Sequence, residues 1–363
     1  MVHGLFMMPI RVLITDDSAF MRRALRTMLQ AESDIEVVDV APDGKVAVEM
    51  AERYRPDVIT LDIEMPVMDG LTALRHIMRK CPTQVLMCSS LTTEGSVEAL
   101  QALRLGAADF IAKDQSNFSL KITDLREDLI RRVRALAGSR RPAGGSKPAL
   151  KPKSPANTGT LPPLSDRNLD LVVIASSTGG PPVLETLLTA VPAGLRCPVV
   201  VAQHMPRVFT ESMAKRLDDV CAVPAVLLND GDLIKPGVIH ICAGGTHTHL
   251  CGTPGLPTGL HVKQSDEPRG DLYKPSASVL FETASQFSAG RTLAIVLTGI
   301  GDDGLRGVKA LHPLGATVLT QSEQSCVVYG MPRAVDEAGL SHASMAPGAI
   351  AKVLSALKGR AAA

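Results

Sequence analysis

Short apolar runs that each end in a polar residue recur along the chain, and segments with apolar residues at helical spacing lie between them. The clearest runs in the second half are residues 171–176, 199–203 and 293–298. Strands that are apolar throughout are typical of a parallel sheet covered on both faces. Strict alternation of such strands with helices predicts an α/β architecture, with the polar residues gathered at the carboxyl edge of each sheet.

A change of composition divides this pattern into two regions. The chain has 363 residues, more than an average single domain. Residues 138–168 contain six prolines, four glycines and several basic residues, and such a segment cannot bury a core. We therefore expect two doubly wound parallel-sheet domains, over residues 8–137 and 169–360, joined by a flexible linker.

Composition also limits the classes of function. The formal net charge is +1, which argues against bulk electrostatic attraction to nucleic acid or to a membrane surface. No zinc-finger spacing or helix-turn-helix pattern occurs, and no apolar run approaches the roughly 18 residues of a membrane span. The seven cysteines include no CxxC pair, which is typical of reduced thiols. We expect a cytoplasmic protein with neither nucleic-acid binding nor membrane insertion.

Five polar residues lie at the predicted strand ends of the first domain. They are Asp16 and Asp17 after the first strand, Asp62 after the third, Ser89 at the end of the fourth and Lys113 after the fifth. Clustered carboxylates favour a hard cation such as Mg²⁺, while a lysine and a hydroxyl can hold phosphoryl oxygens. Ordinary polar strand ends are the alternative interpretation, which suits one such residue better than five in register.

Residues 10–137 resemble the response-regulator receiver family through the segments ITDDSAFMR, LDIEMPVMDG, VLMCSS and ADFIAK. The resemblance implies a flavodoxin-like fold and phosphoryl transfer from a chemotaxis histidine kinase. The implied roles are Asp62 as the phosphorylation site, Asp16, Asp17 and Asp62 as Mg²⁺ ligands, and Ser89 and Lys113 as switch residues. One departure is Asp114, which follows Lys113 where the family usually has proline.

Three residues at strand ends of the second domain suggest nucleophilic chemistry. Ser177 follows the first strand, His204 follows the next, and Asp303 lies in a glycine-bracketed loop after a later one. A serine, a base and an orienting carboxylate make up an acyl-transfer site. From the residues alone three alternatives stay open: a phosphate-binding turn at STGG, Ser177 as a mere helix cap, and a purely structural histidine. The order Ser, His, Asp and the lack of a GxSxG elbow differ from α/β-hydrolases.

Residues 169–358 resemble the catalytic domain of the chemotaxis protein-glutamate methylesterases, the CheB family, through SSTGG, AQHMP, GIGDDG and SCVVYGMPRAV. A preceding receiver domain is that family's architecture. The resemblance implies Ser177 as nucleophile, His204 as base and Asp303 as orienting acid. It also implies hydrolysis of glutamate methyl esters on chemoreceptors, deamidation of receptor glutamines, no cofactor for the esterase reaction, and inhibition by the unphosphorylated receiver domain.

Details of the second domain stay open at this stage. The oxyanion can be held by a backbone N–H near Thr178 or by those near Ile300 and Gly301. Ser278 stands where the family typically has aspartate. A further cluster invites a zinc interpretation, but it lacks tetrahedral ligand spacing and we expect no metal there. That cluster consists of His240, Cys242, His247, His249 and Cys251.

Two rival functions accompany the esterase prediction. One is a non-catalytic docking regulator that responds to phosphorylation, which intact Ser177, His204 and Asp303 argue against. The other is the same esterase acting in a receptor pathway outside motility, which nothing in the sequence excludes.

Overall fold

The computed structural model describes residues 8–90, 92–113, 122–139, 169–256 and 258–357. The chain divides into two compact units between residues 143 and 144, within a stretch outside the described residues. The predicted linker lies outside them from residue 140 onward, and the predicted domain boundaries stay predictions. The two units are taken separately below.

The first unit contains one parallel sheet with the strand order β2-β1-β3-β4-β5. Its strands are β1 (Ile10–Thr15), β2 (Ile35–Ala41), β3 (Val58–Asp62), β4 (Gln84–Ser90) and β5 (Asp109–Lys113). The carboxyl ends of β1, β3 and β5 therefore meet at one edge, with β4 lying between β3 and β5. All of β3 is buried, which explains why its sequence is apolar up to the aspartate that ends it.

Helices of the first unit begin at polar capping residues. They are α1 (Ala19–Gln30), α2 (Gly44–Tyr54), α3 (Gly70–Lys80), α4 (Thr93–Arg104) and α5 (Ile122–Ser139). Ser18, Asp43, Asp69 and Thr92 each accept a hydrogen bond from a backbone N–H in the first turn of the helix that follows. Because these caps satisfy orphan amides, each strand-to-helix connection can end sharply above the sheet edge.

The second unit is built on a seven-stranded parallel sheet with the order β14-β13-β12-β6-β7-β9-β8. Its strands are β6 (Leu171–Ser176), β7 (Val199–Gln203), β8 (Ala225–Leu227), β9 (Ile239–Ile241), β12 (Thr292–Val296), β13 (Thr317–Gln321) and β14 (Ala343–Met345). The first strand of the unit, β6, lies at the centre between β7 and β12. Strands β7 to β9 add on one side of β6 and strands β12 to β14 on the other, so the strand order reverses here, where α/β folds place their ligand sites.

Helices cover both faces of this sheet. They are α6 (Gly180–Leu188), α7 (Arg207–Val220), α8 (Ala277–Ala284), α9 (Leu305–Leu311), α10 (Met331–Glu337) and α11 (Pro347–Ser355). The fully buried side chains of Phe209 on α7 and Phe281 on α8 are among the largest in the core. Every helix within the described ranges is too short or too polar to cross a lipid bilayer. The predicted architecture of two parallel α/β domains is confirmed.

A hairpin and the short edge strand β14 were not predicted from the sequence. Strands β10 (His247–Cys251) and β11 (His261–Ser265) form an antiparallel hairpin separate from the main sheet. Leu250 and Val262 point inward from it and are buried, and the amide of Leu250 donates to the hydroxyl of Thr283 on α8 (3.1 Å). The hairpin thus covers α8, the helix on which the carboxylate of the candidate site rests.

Candidate active site

The order of strands brings the three predicted residues of the second domain to one edge. Ser176, the last residue of β6, pairs with Gln203, the last residue of β7. Ser177 and His204 are the next residues along each strand, so they lie side by side at the edge of the sheet. The amide of His204 donates to the carbonyl of Ser176 (3.0 Å). On the other side, the amide of Ser177 donates to the carbonyl of Thr298 (3.0 Å), just past β12. Backbone hydrogen bonds on both flanks therefore fix the position of Ser177.

Two glycines shape the turn that carries Ser177. Gly179 has a φ of +76°, and a Cβ atom there would lie 2.4 Å from Cγ2 of Val327. A Cβ atom on Gly180 would lie 1.9 Å from Oγ of Ser176. Neither position can take a larger residue without displacing its neighbours. The SSTGG segment is therefore a close-packed turn, with Gly179 against Val327 and Gly180 against Ser176.

His204 and Asp303 form a direct contact. Nε2 of His204 lies 2.8 Å from Oδ2 of Asp303, and the imidazole side chain is only 3% exposed. An ionised carboxylate can only accept a hydrogen bond, so Nε2 of His204 donates its proton to Asp303. In the neutral imidazole, Nδ1 then carries the lone pair. Nδ1 is buried and has no hydrogen-bonding partner among the described residues, so the Ser177–His204 hydrogen bond is not formed in this conformation.

The carboxylate of Asp303 is held by the first turn of α8. Ser276, which caps this helix, donates its hydroxyl to Oδ1 (3.0 Å), and the amides of Ala277 and Ser278 donate to Oδ2 (2.7 Å) and Oδ1 (2.9 Å). Burial alone would raise the pKa of Asp303, but the hydrogen bond and charge of His204 together with the donors at Ser278 hold it well below its usual range. Asp303 is therefore ionised at neutral pH.

Ser276 was missed by the sequence reasoning, although a signal was available. A serine directly before an apolar helical segment is a recognised helix start, and its hydroxyl is here shared between Asp303 and the amide of Val279. Ser278, which departs from the family's usual aspartate, accepts a hydrogen bond from the amide of Gly304 (2.8 Å). It therefore supports the loop of Asp303 without adding a second negative charge.

Tyr273 is a second residue that the sequence did not reveal. Its ring stacks on the imidazole of His204 with 4.2 Å between ring centroids and 10° between planes. Tyr273 lies three residues before the cap of α8, in the connection from the β10–β11 hairpin. No local pattern indicates a contact between residues that are 69 positions apart.

The segment 298–301 lies directly against Ser177. A Cβ atom on Gly299 would lie 2.7 Å from Cβ of Ser177. The amide of Gly299 donates to the carbonyl of Val328, and its carbonyl accepts from the amides of Gly330 and Met331. These bonds pin the segment, while the amides of Ile300 and Gly301 donate to no other described residue. Those two N–H groups directly follow Gly299, the residue that lies against Ser177.

The predicted carboxylates of the first domain do converge. Asp16, Asp17 and Asp62 each place an oxygen within 4.8 Å of the others, the only such potential metal-binding group that the described ranges contain. Nζ of Lys113 lies 2.7 Å from an oxygen of both Asp16 and Asp62. Burial raises the pKa of Asp62 to about 6, with Lys113 opposing the shift and Asp16 adding to it. An all-carboxylate set fits the oxygen preference of Mg²⁺.

Ser89 lies at this edge, one residue from the end of β4. Its hydroxyl donates to the carbonyl of Gly95 (2.7 Å) in the first turn of α4. A hydroxyl has one proton, so this contact must be broken before Ser89 can donate to a phosphoryl oxygen. Asp114, the departure next to Lys113, lies outside the described residues.

The histidines considered as zinc ligands have other partners. Nδ1 of His247 accepts from the amide of Ser276 (3.2 Å), and Nε2 donates to the carbonyl of Pro268 (3.2 Å). Nε2 of His240 accepts from the amide of Lys235 (3.1 Å), and burial lowers the pKa of His240 to about 4. Both rings therefore support backbone, and His247 fixes the cap of the helix that holds Asp303.

Comparison with known proteins agrees with this geometry. Residues 172–354 match the family described as CheB methylesterase, and residues 12–122 match the response regulator receiver domain. The protein-glutamate methylesterase/protein-glutamine glutaminase 1 of Oleidesulfovibrio alaskensis is 44% identical over 352 residues, covering 92% of this chain and 95% of the relative. The corresponding protein 2 of Nitratidesulfovibrio vulgaris is 43% identical over 355 residues, with the same two coverages.

The solved catalytic domain of Thermotoga maritima CheB methylesterase has 33% sequence identity, covers 52% of this chain and 97% of its own, and has a TM-score of 0.48. The family matches lie one in each compact unit, and the two relatives span both. The chain therefore belongs to the CheB methylesterase family, with a response regulator receiver domain preceding the methylesterase domain.

Proposed function

We propose that this chain is a phosphorylation-regulated protein-glutamate methylesterase that hydrolyses glutamate methyl esters on chemoreceptors and deamidates receptor glutamines. Family membership and the names of the relatives support the class of reaction. The observation that carries the proposal for this chain is the contact between His204 and Asp303 at the sheet edge next to Ser177. An ionised, buried carboxylate bonded to an imidazole beside a serine is suited to acyl transfer.

In the proposed mechanism, Oγ of Ser177 attacks the side-chain carbonyl carbon of the ester, and Nδ1 of His204 takes its proton. Asp303, through its bond to Nε2, stabilises the imidazolium that results. Collapse of the tetrahedral intermediate breaks the bond to methoxide, which takes the proton from Nδ1 and leaves as methanol. Water then attacks the acyl-enzyme with His204 as base, giving glutamate and free Ser177. With a glutamine substrate, ammonia leaves in place of methanol.

The ring nitrogens have exchanged roles relative to the familiar serine-protease arrangement, in which the carboxylate bonds to Nδ1. Catalytic hydrogen bonds are often unformed before substrate binds, so Ser177 needs only to approach Nδ1 when the ester arrives. The amides of Ile300 and Gly301 are our candidates for the oxyanion, because they directly follow Gly299, which lies against Ser177, and have no acceptor among the described residues. Removing one such donor costs about 10²–10³ in rate.

The first domain would supply the regulation. Asp62 accepts the phosphoryl group from a chemotaxis histidine kinase, with Asp16, Asp17 and Asp62 holding Mg²⁺. When bound, the ion neutralises charge on the transferred phosphoryl oxygens. Lys113 holds one of those oxygens, and Ser89 exchanges its bond to Gly95 for another. The unphosphorylated domain inhibits the esterase, and phosphorylation relieves that inhibition by favouring a different arrangement of the domains. Since its proposed partners, the receptors and the kinase, meet there, we propose that the protein acts in the cytoplasm.

The test is release of methanol from chemoreceptor membranes carrying labelled methyl esters. Wild type and Ser177→Ala are compared with and without a small phosphodonor such as acetyl phosphate, and Asp62→Asn is compared in the same way. We expect release that requires Ser177 and rises with the phosphodonor only where Asp62 is intact. Release that ignores the donor would retain the esterase and reject control through Asp62. Folded protein without Ser177-dependent release would reject the esterase and favour a docking regulator.

A further inference from the structure

We propose that Tyr273 is a positioning residue for the general base, and that its aromatic ring sets the plane of the His204 imidazole. This inference rests on the proposed role of His204 as base. It adds a residue that acts through His204 and does not itself contact the reacting atoms. The planar face of the ring is the part of Tyr273 that acts on His204.

The hydrogen bond to Asp303 does not by itself fix the imidazole. It holds one edge of the ring, at Nε2, over 2.8 Å. Rotation of the ring about its bond to Cβ is soft, because such sp³–sp² torsions have broad minima. The opposite nitrogen, Nδ1, has no hydrogen-bonding partner among the described residues. A second contact is therefore needed to decide where Nδ1 points, and the stacked ring of Tyr273 supplies it.

The stacking geometry suits this task. The two planes differ by 10° and the centroids are 4.2 Å apart, so the rings are in face-to-face contact. Any tilt of the imidazole would drive an edge of His204 into the tyrosine ring. Aromatic pairs of this kind also stabilise the arrangement beyond the area that they bury. The imidazole is thus fixed by one contact at its edge and one at its face.

Tyr273 can act as a support only if its own segment is fixed, and ion pairs on both sides of it provide this. Asp271 accepts two hydrogen bonds from the guanidinium of Arg306 on α9 (2.9 and 3.1 Å). On the other side, Lys274 pairs with Asp266 (2.8 Å). Ser276, the cap of α8, follows within three residues of Tyr273 and is itself bonded to Asp303. Through Ser276 the segment is therefore anchored to the same carboxylate that holds the base.

The experiment compares Tyr273→Leu and Tyr273→Phe with wild type in the full chain. The matched control is Leu272→Ala, which alters the adjacent side chain, 68% exposed, without touching the stack. Two rates are measured, steady-state methanol release from receptor membranes and labelling of Ser177 by a small fluorophosphonate. The probe needs an activated serine but no receptor, so its rate reports the orientation of the base separately from substrate binding.

We expect Tyr273→Leu to lower kcat and the labelling rate together by roughly 10- to 100-fold, the scale that misplacement of a catalytic group costs, with KM within about twofold of wild type. Tyr273→Phe should restore both rates to within about threefold, since stacking needs only the ring. Leu272→Ala should match wild type in labelling.

Three results would overturn the inference. Tyr273→Leu could match wild type, Tyr273→Phe could be as slow as the leucine variant, or the variants could change KM alone. If Tyr273→Leu does not fold, Tyr273→Met takes its place as the variant without a ring, and Tyr273→His is added as one that keeps a planar ring. Equal labelling of wild type and Ser177→Ala would instead reject the proposed function, and this inference with it.

Discussion

Nε2 of His204 lies 2.8 Å from Oδ2 of Asp303, so the imidazole offers Nδ1, and not Nε2, to its surroundings. The carboxylate is in turn bonded to the hydroxyl of Ser276 and to two amides of α8. The first turn of α8 therefore fixes the His204–Asp303 pair through the carboxylate of Asp303.

Asp303→Asn should lower esterase kcat by about 10³–10⁴, because the amide can neither stabilise the imidazolium nor enforce the tautomer. It should also lower the free energy of unfolding by about 1–3 kcal/mol, because the new NH₂ group can only donate and the helix donors that face it lose their acceptor. Methanol release and urea unfolding measure the two effects. Asp302→Asn, at the exposed neighbouring position, is the matched control, and equal losses in both variants would contradict the assignment.

Gly180→Ala should destabilise the second domain by about 1–3 kcal/mol through overpacking, and should slow Ser177 labelling. The added methyl group would lie 1.9 Å from Oγ of Ser176 and 2.5 Å from Oε1 of Gln203. Gly348→Ala on α11 has no atom within 4 Å of the added Cβ, so it should leave stability unchanged or slightly higher. Urea titration of both variants is the measurement, and an unaffected Gly180→Ala would mean that the turn can relax.

Mg²⁺ binding to the receiver domain should weaken at low pH. Burial raises the pKa of Asp62 to about 6, so the carboxylate is increasingly protonated below that pH and loses its ligand character. We expect the apparent Mg²⁺ affinity to fall by roughly tenfold per pH unit below 6. Calorimetric titration at several pH values measures this. In Asp62→Asn the pH dependence over this range should disappear, and its persistence would assign it to another group.

Without Mg²⁺, the receiver domain should be more stable at pH 5 than at pH 7.5. The pKa of Asp62 is raised on folding, from 3.8 to about 6, so its contribution to stability is complete below the unfolded value and is lost as pH rises through 6. The full shift corresponds to about 3 kcal/mol, of which roughly 1.4 kcal/mol separates pH 5 from pH 7.5. Urea unfolding in chelator, compared between wild type and Asp62→Asn, isolates this contribution. The exposed Asp17→Asn should keep the pH dependence of wild type.

Arg306→Ala should lower kcat severalfold through loss of the anchor that holds the segment of Tyr273. Arg306 is about half exposed, so its pairs with Asp271 and Glu282 should contribute no more than about 1 kcal/mol to stability. Activity should therefore fall by more than the change in unfolding predicts. Lys309→Ala, an exposed cation on the same helix, serves as control. If activity fell only as far as the loss of stability predicts, Arg306 would stabilise the fold without positioning the segment of Tyr273.

Most strands of the two main sheets could be predicted because each is a short apolar run that ends at a polar residue. The bounds of β6 and β7 agree with the predicted runs, since each is apolar up to the polar residue that ends it. The β10–β11 hairpin has no such run. His247 and Thr248 are buried through contacts with distant segments, so the local pattern does not distinguish these strands from a loop.

Much of the candidate site was also predictable, because strand ends and glycine turns mark Ser177, His204 and Asp303. What could not be predicted is how these residues are supported. The nitrogen that faces Asp303 depends on side-chain rotation, and the contact of Tyr273 depends on where a long connection returns. Neither is encoded by a local spacing.

Because the carboxylate of Asp303 occupies the first turn of α8, that helix and the charged centre cannot form independently. Three donors of the turn are satisfied only when the loop of Asp303 has docked, and the carboxylate loses its partners when the turn frays. Assembly of the site is thereby a cooperative part of folding, so we expect the first turn of α8 and the loop of Asp303 to form and unfold together. Loss of hydrolytic activity on heating should coincide with hydrogen exchange at the amides of Ala277 and Ser278.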